Sequence, residues 1–269
     1  MLKDITLGQY FPGNSVLHRL DPRMKIFLIV IYIITIFSAS TPISFALVLL
    51  SAFVLLLLSR IPPKLVLGSL KAVFFIMAFT AIINIFWTTG DRLLLEAGPI
   101  KIYWEGVEYA IFMIVRVVAL IVGSSVLLTY TTSPIALTDG LERVLSPLKA
   151  LHIPVHEFSM MMTIALRFIP TLIEETDKII SAQKARGTDF SSGSITQRAR
   201  ALIPVMVPLF VSAFHRADEL AVAMECRCYR GGEGRTRMTR LHLRSTDIFA
   251  LAAHLLFLGV IIALNILFS

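Results

Sequence analysis

From Ile26 to Ser59 the chain runs for 34 residues without an Asp, Glu, Lys or Arg. A run that long and that apolar is stable in the hydrocarbon of a bilayer, where a helix of about 20 residues crosses the apolar layer. It is too long for one crossing, and Ser38-Ala39-Ser40-Thr41-Pro42 breaks it. Small polar residues followed by a proline, which has no N–H to carry a helix on, mark a turn. The run therefore reads as two short spans, about 26–40 and 43–59, in a tight hairpin. Ser38-Ala39-Ser40 also has the small-x-small spacing of a signal-peptide cleavage site, but such a leader would be long and would carry Asp4 and Asp21, so the span is taken as retained.

Composition agrees. Hydrophobic residues make up 56% of the 269 and charged residues 16%, with a mean hydropathy of +0.79. A soluble domain carries roughly 25% charged residues. A disordered chain, a collagen and a typical soluble enzyme are thereby excluded, and two cysteines exclude a disulfide scaffold. Further spans are expected at about 72–90, 109–131 and 248–269. The span at 109–131 contains Arg116, a charge costing on the order of 3 kcal/mol on insertion scales, so a pair with Glu108 or an acid of a neighbouring helix is expected. Lys3, Arg19, Arg23 and Lys25 precede the first span, and Arg60, Lys64 and Lys71 follow the second. By the positive-inside rule the N-terminus is cytoplasmic, and five spans put the C-terminus outside.

Residues 133–246, between the fourth and fifth spans, hold 15 of the 25 Lys/Arg and 11 of the 18 Asp/Glu. The expected organisation is a membrane domain at 1–132, a cytoplasmic domain at 133–246 and a final span at 247–269. The insertion still has two charge-free runs, Phe158–Leu166 and Ala201–Phe214, both shorter than a span. Around the second, Ile195, Ala199, Leu202, Met206, Leu209, Ala213, Ala217, Leu220 and Met224 recur at steps of three and four, the stripe of an amphipathic helix. Pro204 and Pro208 predict that this helix is bent. A similar helix is predicted over 155–185, with a kink at Pro170, and a shorter one over 134–151. The fold class is all-α: a polytopic membrane protein of about five spans with long amphipathic helices beside them. Those helices suit either an ordinary cytoplasmic domain or a platform offering its apolar stripe to a partner.

The two long helices end alike, one in Ala185-Arg186-Gly187 and the other in Cys226-Arg227-Cys228. Aligning Arg186 on Arg227, 41 residues apart, also brings Asp177 onto Asp218 and Ala182 onto Ala223. A basic residue in a last helical turn satisfies unpaired carbonyls and the negative end of the dipole. Two matched tips suggest more, because an arginine fork can enter an acidic groove and bind a carboxylate with two hydrogen bonds.

Leu166-Arg167-Phe168-Ile169-Pro170-Thr171-Leu172, followed by Gln183-Lys184-Ala185-Arg186-Gly187, resembles the first signature of the transmembrane T subunits of energy-coupling factor (ECF) transporters. Ile203 to Phe210, Ala217-Asp218-Glu219-Leu220-Ala221 and Ala223 to Gly232 resemble the second, and Gly8-Gln9-Tyr10 and His18 to Arg23 fit the family's N-terminal segment. The resemblance implies a scaffold in the cell membrane that joins two cytoplasmic ABC-type ATPase subunits to one membrane S subunit, which binds a vitamin or metal. It implies that Ala185, Arg186, Gly187, Cys226, Arg227 and Cys228 dock on the ATPases, which alone bind ATP. It places S-subunit contacts on the apolar stripes, at Leu202, Met206, Leu209 and Ala213 and at Met160 and Ile164. One departure stands out: the family's second tip commonly has Ala and Gly around the arginine, and here both are cysteines.

Other chemistry is thinly represented. A GxxxxGK[ST] phosphate loop is absent, so ATP is not bound by that route. His152, His156 and Glu157, or Cys226 with Cys228, fall short of a metal-ligand set. Ser124, Ser125 and His254 lack a GxSxG context. Arg227, Arg230, Arg235, Arg237, Arg240 and Arg244 read as a juxtamembrane segment facing anionic lipid rather than nucleic acid. The competing reading is a self-contained permease or intramembrane enzyme, for which Asn84, Arg116, His254 and Asn265 are too scattered to trace a pathway.

Overall fold

The computed structural model describes residues 10–90, 92–97, 100–188, 190, 194–231 and 241–268. Gly8, Gln9, Arg235, Arg237 and Arg240 of the motifs above lie outside these, as does the side chain of Ile195. The elements are α1 (Pro22–Ser38), α2 (Pro42–Ser59), α3 (Pro63–Trp87), β1 (Leu93–Ala97), β2 (Ile100–Tyr103), α4 (Trp104–Ser124), α5 (Pro134–Val144), α6 (Val155–Ala185), α7 (Ile195–Cys226) and α8 (Ser245–Phe268). The described residues separate into two compact units. One takes in the chain up to Leu141 and again from 241, and the other runs from Glu142 to 231. Residues Pro134 to Leu141 of α5 thus belong with the spans.

The membrane unit is a helix bundle. Asp21 and Thr41 cap α1 and α2, each followed by proline at the first helical position, where a missing N–H costs nothing. Lipid tails are as apolar as leucine, so burial alone does not drive such helices together; close packing and hydrogen bonds do. Leu28, Tyr32 and Ile36, one per turn, form the buried edge of α1. The Tyr32 hydroxyl donates to the Ala119 carbonyl of α4 at 3.1 Å, and Gly123 one turn on leaves room for its ring. Phe45 of α2 stacks on Phe112 of α4 with ring centroids 4.5 Å apart. Asn265 of α8 staples the α1–α2 turn: its amide nitrogen donates to Ser38 O, and its oxygen accepts from Ser44 Oγ at 2.8 Å. Beyond α4 the helix widens into a π-helical turn, Ser125–Tyr130, and the Tyr130 hydroxyl donates to Leu65 O of α3 at 3.0 Å.

Four helices of this unit, α2, α3, α4 extended to Tyr130, and α8, are long and apolar enough to cross a membrane. The helix α1, with 17 residues, is about 25 Å long, slightly under a full hydrocarbon layer. The fifth helix that meets the length and composition test is α7, the least apolar of the five. The chain is an all-α polytopic membrane protein.

Several local expectations change. The third span starts at Pro63 rather than near residue 72, because Pro62-Pro63 opens the helix and Lys64 and Lys71 lie along it. The stretch between the third and fourth spans, for which no element is expected above, holds a two-stranded antiparallel hairpin with Leu93 opposite Tyr103. The helix expected over 134–151 divides into α5 and a 3₁₀ segment, Ser146–Leu151, at Pro147. Arg116 takes no acidic partner among the described residues. It donates to Ala39 O at 3.1 Å, at the end of α1, and lies 5.2 Å from the Phe45 ring centroid and 5.8 Å from that of Phe37. Carbonyl and ring faces supply the negative potential that a carboxylate was expected to supply.

Candidate functional site

The second unit is built on α6 and α7, which pack antiparallel: Gln183 sits beside Pro204, and Glu175 beside Arg216. Ser194 starts α7 with a capping box, its hydroxyl accepting from Gln197 N while the Gln197 side chain accepts from Ser194 N. The helix then runs unbroken through Pro204 and Pro208. Pro208 has no N–H to give the Pro204 carbonyl, and Gln183 Nε2 of α6 donates to that orphan at 3.4 Å. Pro208 thus leaves an acceptor that ties α7 to its neighbour.

Both helices end in the same way. Arg186 and Arg227 are the C-cap residues. After Arg186, Gly187 N donates to Lys184 O and Thr188 N to Gln183 O, both at 3.0 Å. After Arg227, Cys228 N donates to Glu225 O at 2.8 Å and Tyr229 N to Met224 O at 3.0 Å. This is the Schellman pattern twice, and it requires a left-handed residue directly after the cap. Gly187 has φ +87° and Cys228 φ +55°. Cysteine therefore adopts the conformation that glycine holds at the first tip, at a cost of about 1 kcal/mol. Ala185, Arg186, Gly187, Cys226, Arg227 and Cys228 are all exposed. Because the helices are antiparallel, the tips lie at opposite ends of the pair. About two dozen residues of α7 separate the level of Arg186 from Arg227, on the order of 35 Å along the helix.

The apolar face is broader than the stripe read from sequence. Leu202 and Met206 are exposed, whereas Leu209, Ala213, Met160 and Ile164 are half-buried. Ile203, Val207, Phe210, Val211, Phe214 and Val222 are large exposed side chains of α7 that the stripe missed.

Glu175 accepts from Arg216 Nη2 at 3.1 Å. A hydrogen bond from Ser212, the largest effect, holds its carboxyl below the ordinary carboxylate range; desolvation opposes it, and the Arg216 charge and hydrogen bond and the Lys178 charge add to the lowering. A depressed folded-state value means the stabilisation is present at neutral pH and is lost as pH falls through it. The thermal midpoint of Glu175→Gln is therefore expected below wild type at pH 7, with the gap closing as the pH drops below about 4. A gap independent of pH would show that the ionised carboxylate is not what joins α6 to α7.

The residues weighed for other chemistry have separate roles. His156 Nδ1 is 3.0 Å from Glu142 Oε1. Among the described residues no three His, Cys, Asp or Glu converge as a metal group. Asn84 and His254 bond carbonyls of their own helices, at Thr80 and Ala250.

The profile of the cobalt transport protein family CbiQ matches residues 13–238. The energy-coupling factor transporter transmembrane protein EcfT of Ruminiclostridium cellulolyticum is 52% identical over 268 residues, covering all of both chains. That of Thermosediminibacter oceani is 50% identical over 97% of this chain and 98% of its own. That of Bacillus subtilis is 46% identical over 96% and 99%. With matches this close from end to end on an all-α membrane fold, the chain belongs to the CbiQ/EcfT family, the transmembrane T subunits of ECF transporters.

Proposed function

We propose that this chain is the non-catalytic mechanical link of an ECF importer for a vitamin or similar micronutrient. Two ATPase subunits dock on the two tips, one on Arg186 with Ala185 and Gly187, the other on Arg227 with Cys226 and Cys228. ATP binding draws the ATPases together, and the tips move with them. The helices α6 and α7 pass that movement to a membrane S subunit held on the apolar face of α7. Residues 133–246 face the cytoplasm, as does the N-terminus, while the C-terminus lies outside; the Lys/Arg distribution supports this orientation. The observation that carries the reading is the repeated helix end, one exposed arginine at the same cap position at each end of an antiparallel pair. A single capping arginine has a local explanation, but two with the same cap hydrogen-bond pattern suit two similar partners.

The test is affinity purification of the tagged chain from its native membrane. Two ATPases and one small hydrophobic membrane protein are expected to come with it. Recovery of the chain alone, together with solute uptake by liposomes containing only this chain, would instead establish a self-contained permease.

A further inference from the structure

The first turn of α1 holds a buried charged cluster that the docking reading does not use. Asp21, Lys25 and Asp247 are all buried, Asp247 completely. The Asp247 carboxylate accepts from Asp21 N at 3.0 Å and from Arg244 N at 2.7 Å. Lys25 Nζ donates to Thr131 O at 2.8 Å, Thr131 Oγ1 at 3.2 Å and Thr132 Oγ1 at 3.1 Å. Arg23 donates to Leu241 O at 3.1 Å, and its Nε lies 3.7 Å from Asp21 Oδ1. Gly140 of α5 packs on the same turn so closely that a Cβ there would stand 2.9 Å from Pro22 Cβ and 3.2 Å from Pro22 C.

These partners share one property: they flank the second unit. Thr131 and Thr132 lead into α5, and Gly140 comes just before Leu141, the last residue before the chain leaves the membrane unit. Leu241, Arg244 and Asp247 lie where the chain has returned to it. The outgoing and returning connections, about a hundred residues apart in sequence, are therefore both held by the five residues Asp21 to Lys25. Apolar packing would let such connections slide. Charged hydrogen bonds in a buried site have fixed geometry, and losing one partner leaves an uncompensated charge.

We infer that this turn is the fixed pivot of the coupling movement, with Lys25 and Asp247 as positioning residues. They hold both ends of the moving unit at one point, so displacement at the tips becomes rotation about that point instead of slack in the connections. The inference rests on the docking reading above, and its test separates the two.

The complete transporter is assembled in lipid nanodiscs. Nitroxides are introduced through unnatural amino acids, leaving Cys226 and Cys228 native. One pair, at the exposed residues Ile135 and Leu243, straddles the two connections. A second, at Ile135 and Lys178, reaches into the second unit. On trapping with a non-hydrolysable ATP analogue, the 135–178 distance is expected to shift and the 135–243 distance to stay unchanged. The double variant Lys25→Met/Asp247→Asn removes both charges, so neither is left unpaired. It is expected to broaden the 135–243 distribution and at least halve the 135–178 shift while ATP hydrolysis continues. A 135–243 shift as large as the other, no 135–178 shift in the wild type, or an undiminished shift in the double variant would each overturn the pivot. If the double variant does not fold, the wild-type distances still decide. Failure of the ATPases to assemble would appear before any distance is measured, and would overturn the docking reading together with the pivot.

Discussion

Arg186→Glu and Arg227→Glu, made separately, are each expected to release one ATPase from the purified complex, and the double variant both. Each guanidinium is exposed at the end of its helix, so its removal takes nothing from the chain's own packing. What changes is the sign of the charge presented to the acidic groove that the proposed docking requires. Truncating one partner of a buried, hydrogen-bonded charge pair at an interface costs about 2–5 kcal/mol, roughly 30- to 5,000-fold in affinity. Reversal adds repulsion to that loss. Because the tips lie at opposite ends of an antiparallel pair, their effects should be independent, with additive energies. Stoichiometry is read from the co-purified subunits, and thermal unfolding of the isolated variants checks that the fold is intact. Full assembly and uptake in both single variants would remove the docking role. Loss of both ATPases from one single variant would mean that the two do not dock separately.

Much of this architecture was legible in the sequence. The charge-free runs pointed to α2, α4 and α8 and to most of α3, but α1 falls just short of a span's length and α7, whose charge-free run was read as too short to span, meets the length and composition test. The turn at Ser38 to Pro42 separated α1 from α2 within a few residues. The period of three and four over 155–185 and 195–226 gave α6 and α7, and the matched ends gave both arginines. What stayed hidden has identifiable causes. In Ala201–Phe214 nearly every residue is apolar, so no polar face sets the rotational phase. Leu209 and Ala213 were placed on the open face, and Ile203, Val207, Phe210 and Phe214 were left out. Gly187 announces a left-handed cap, but nothing in a cysteine does, so the Schellman turn at Cys228 was readable only through the 41-residue repeat. The hairpin of β1 and β2 was lost because Leu-Leu-Leu-Glu-Ala does not alternate cleanly between apolar and polar. Asp247 reads as an ordinary first-turn acid of α8. Its contact with Asp21, 226 residues away, belongs to tertiary packing and leaves no local signal.

Gly123→Val is expected to destabilise the isolated chain more than any other single substitution of a helical glycine in the bundle. A Cβ at Gly123 would overlap the ring carbons of Tyr32. The ring cannot easily retreat, because Tyr32 is 1% exposed and belongs to the same core as Leu28, Ile36 and Val126. Moving it also breaks the Tyr32–Ala119 hydrogen bond, for which the bilayer offers no water in exchange. Overpacking costs about 1–3 kcal/mol and the lost bond about 1 kcal/mol more, a large part of a typical domain's stability. Gly259 of α8 is the matched control: it also lies in an apolar helix, but a Cβ there meets nothing within 4 Å. Gly259→Val is expected to leave the thermal midpoint in detergent near wild type, whereas Gly123→Val lowers it steeply. Tyr32→Leu, by removing the distal ring atoms and the hydroxyl, is expected to restore part of that loss in the Gly123→Val background. Equal effects at the two glycines would assign the cost to valine in a helix as such. Recovery in the double variant would assign it to the space that Gly123 leaves for a buried ring between α1 and α4.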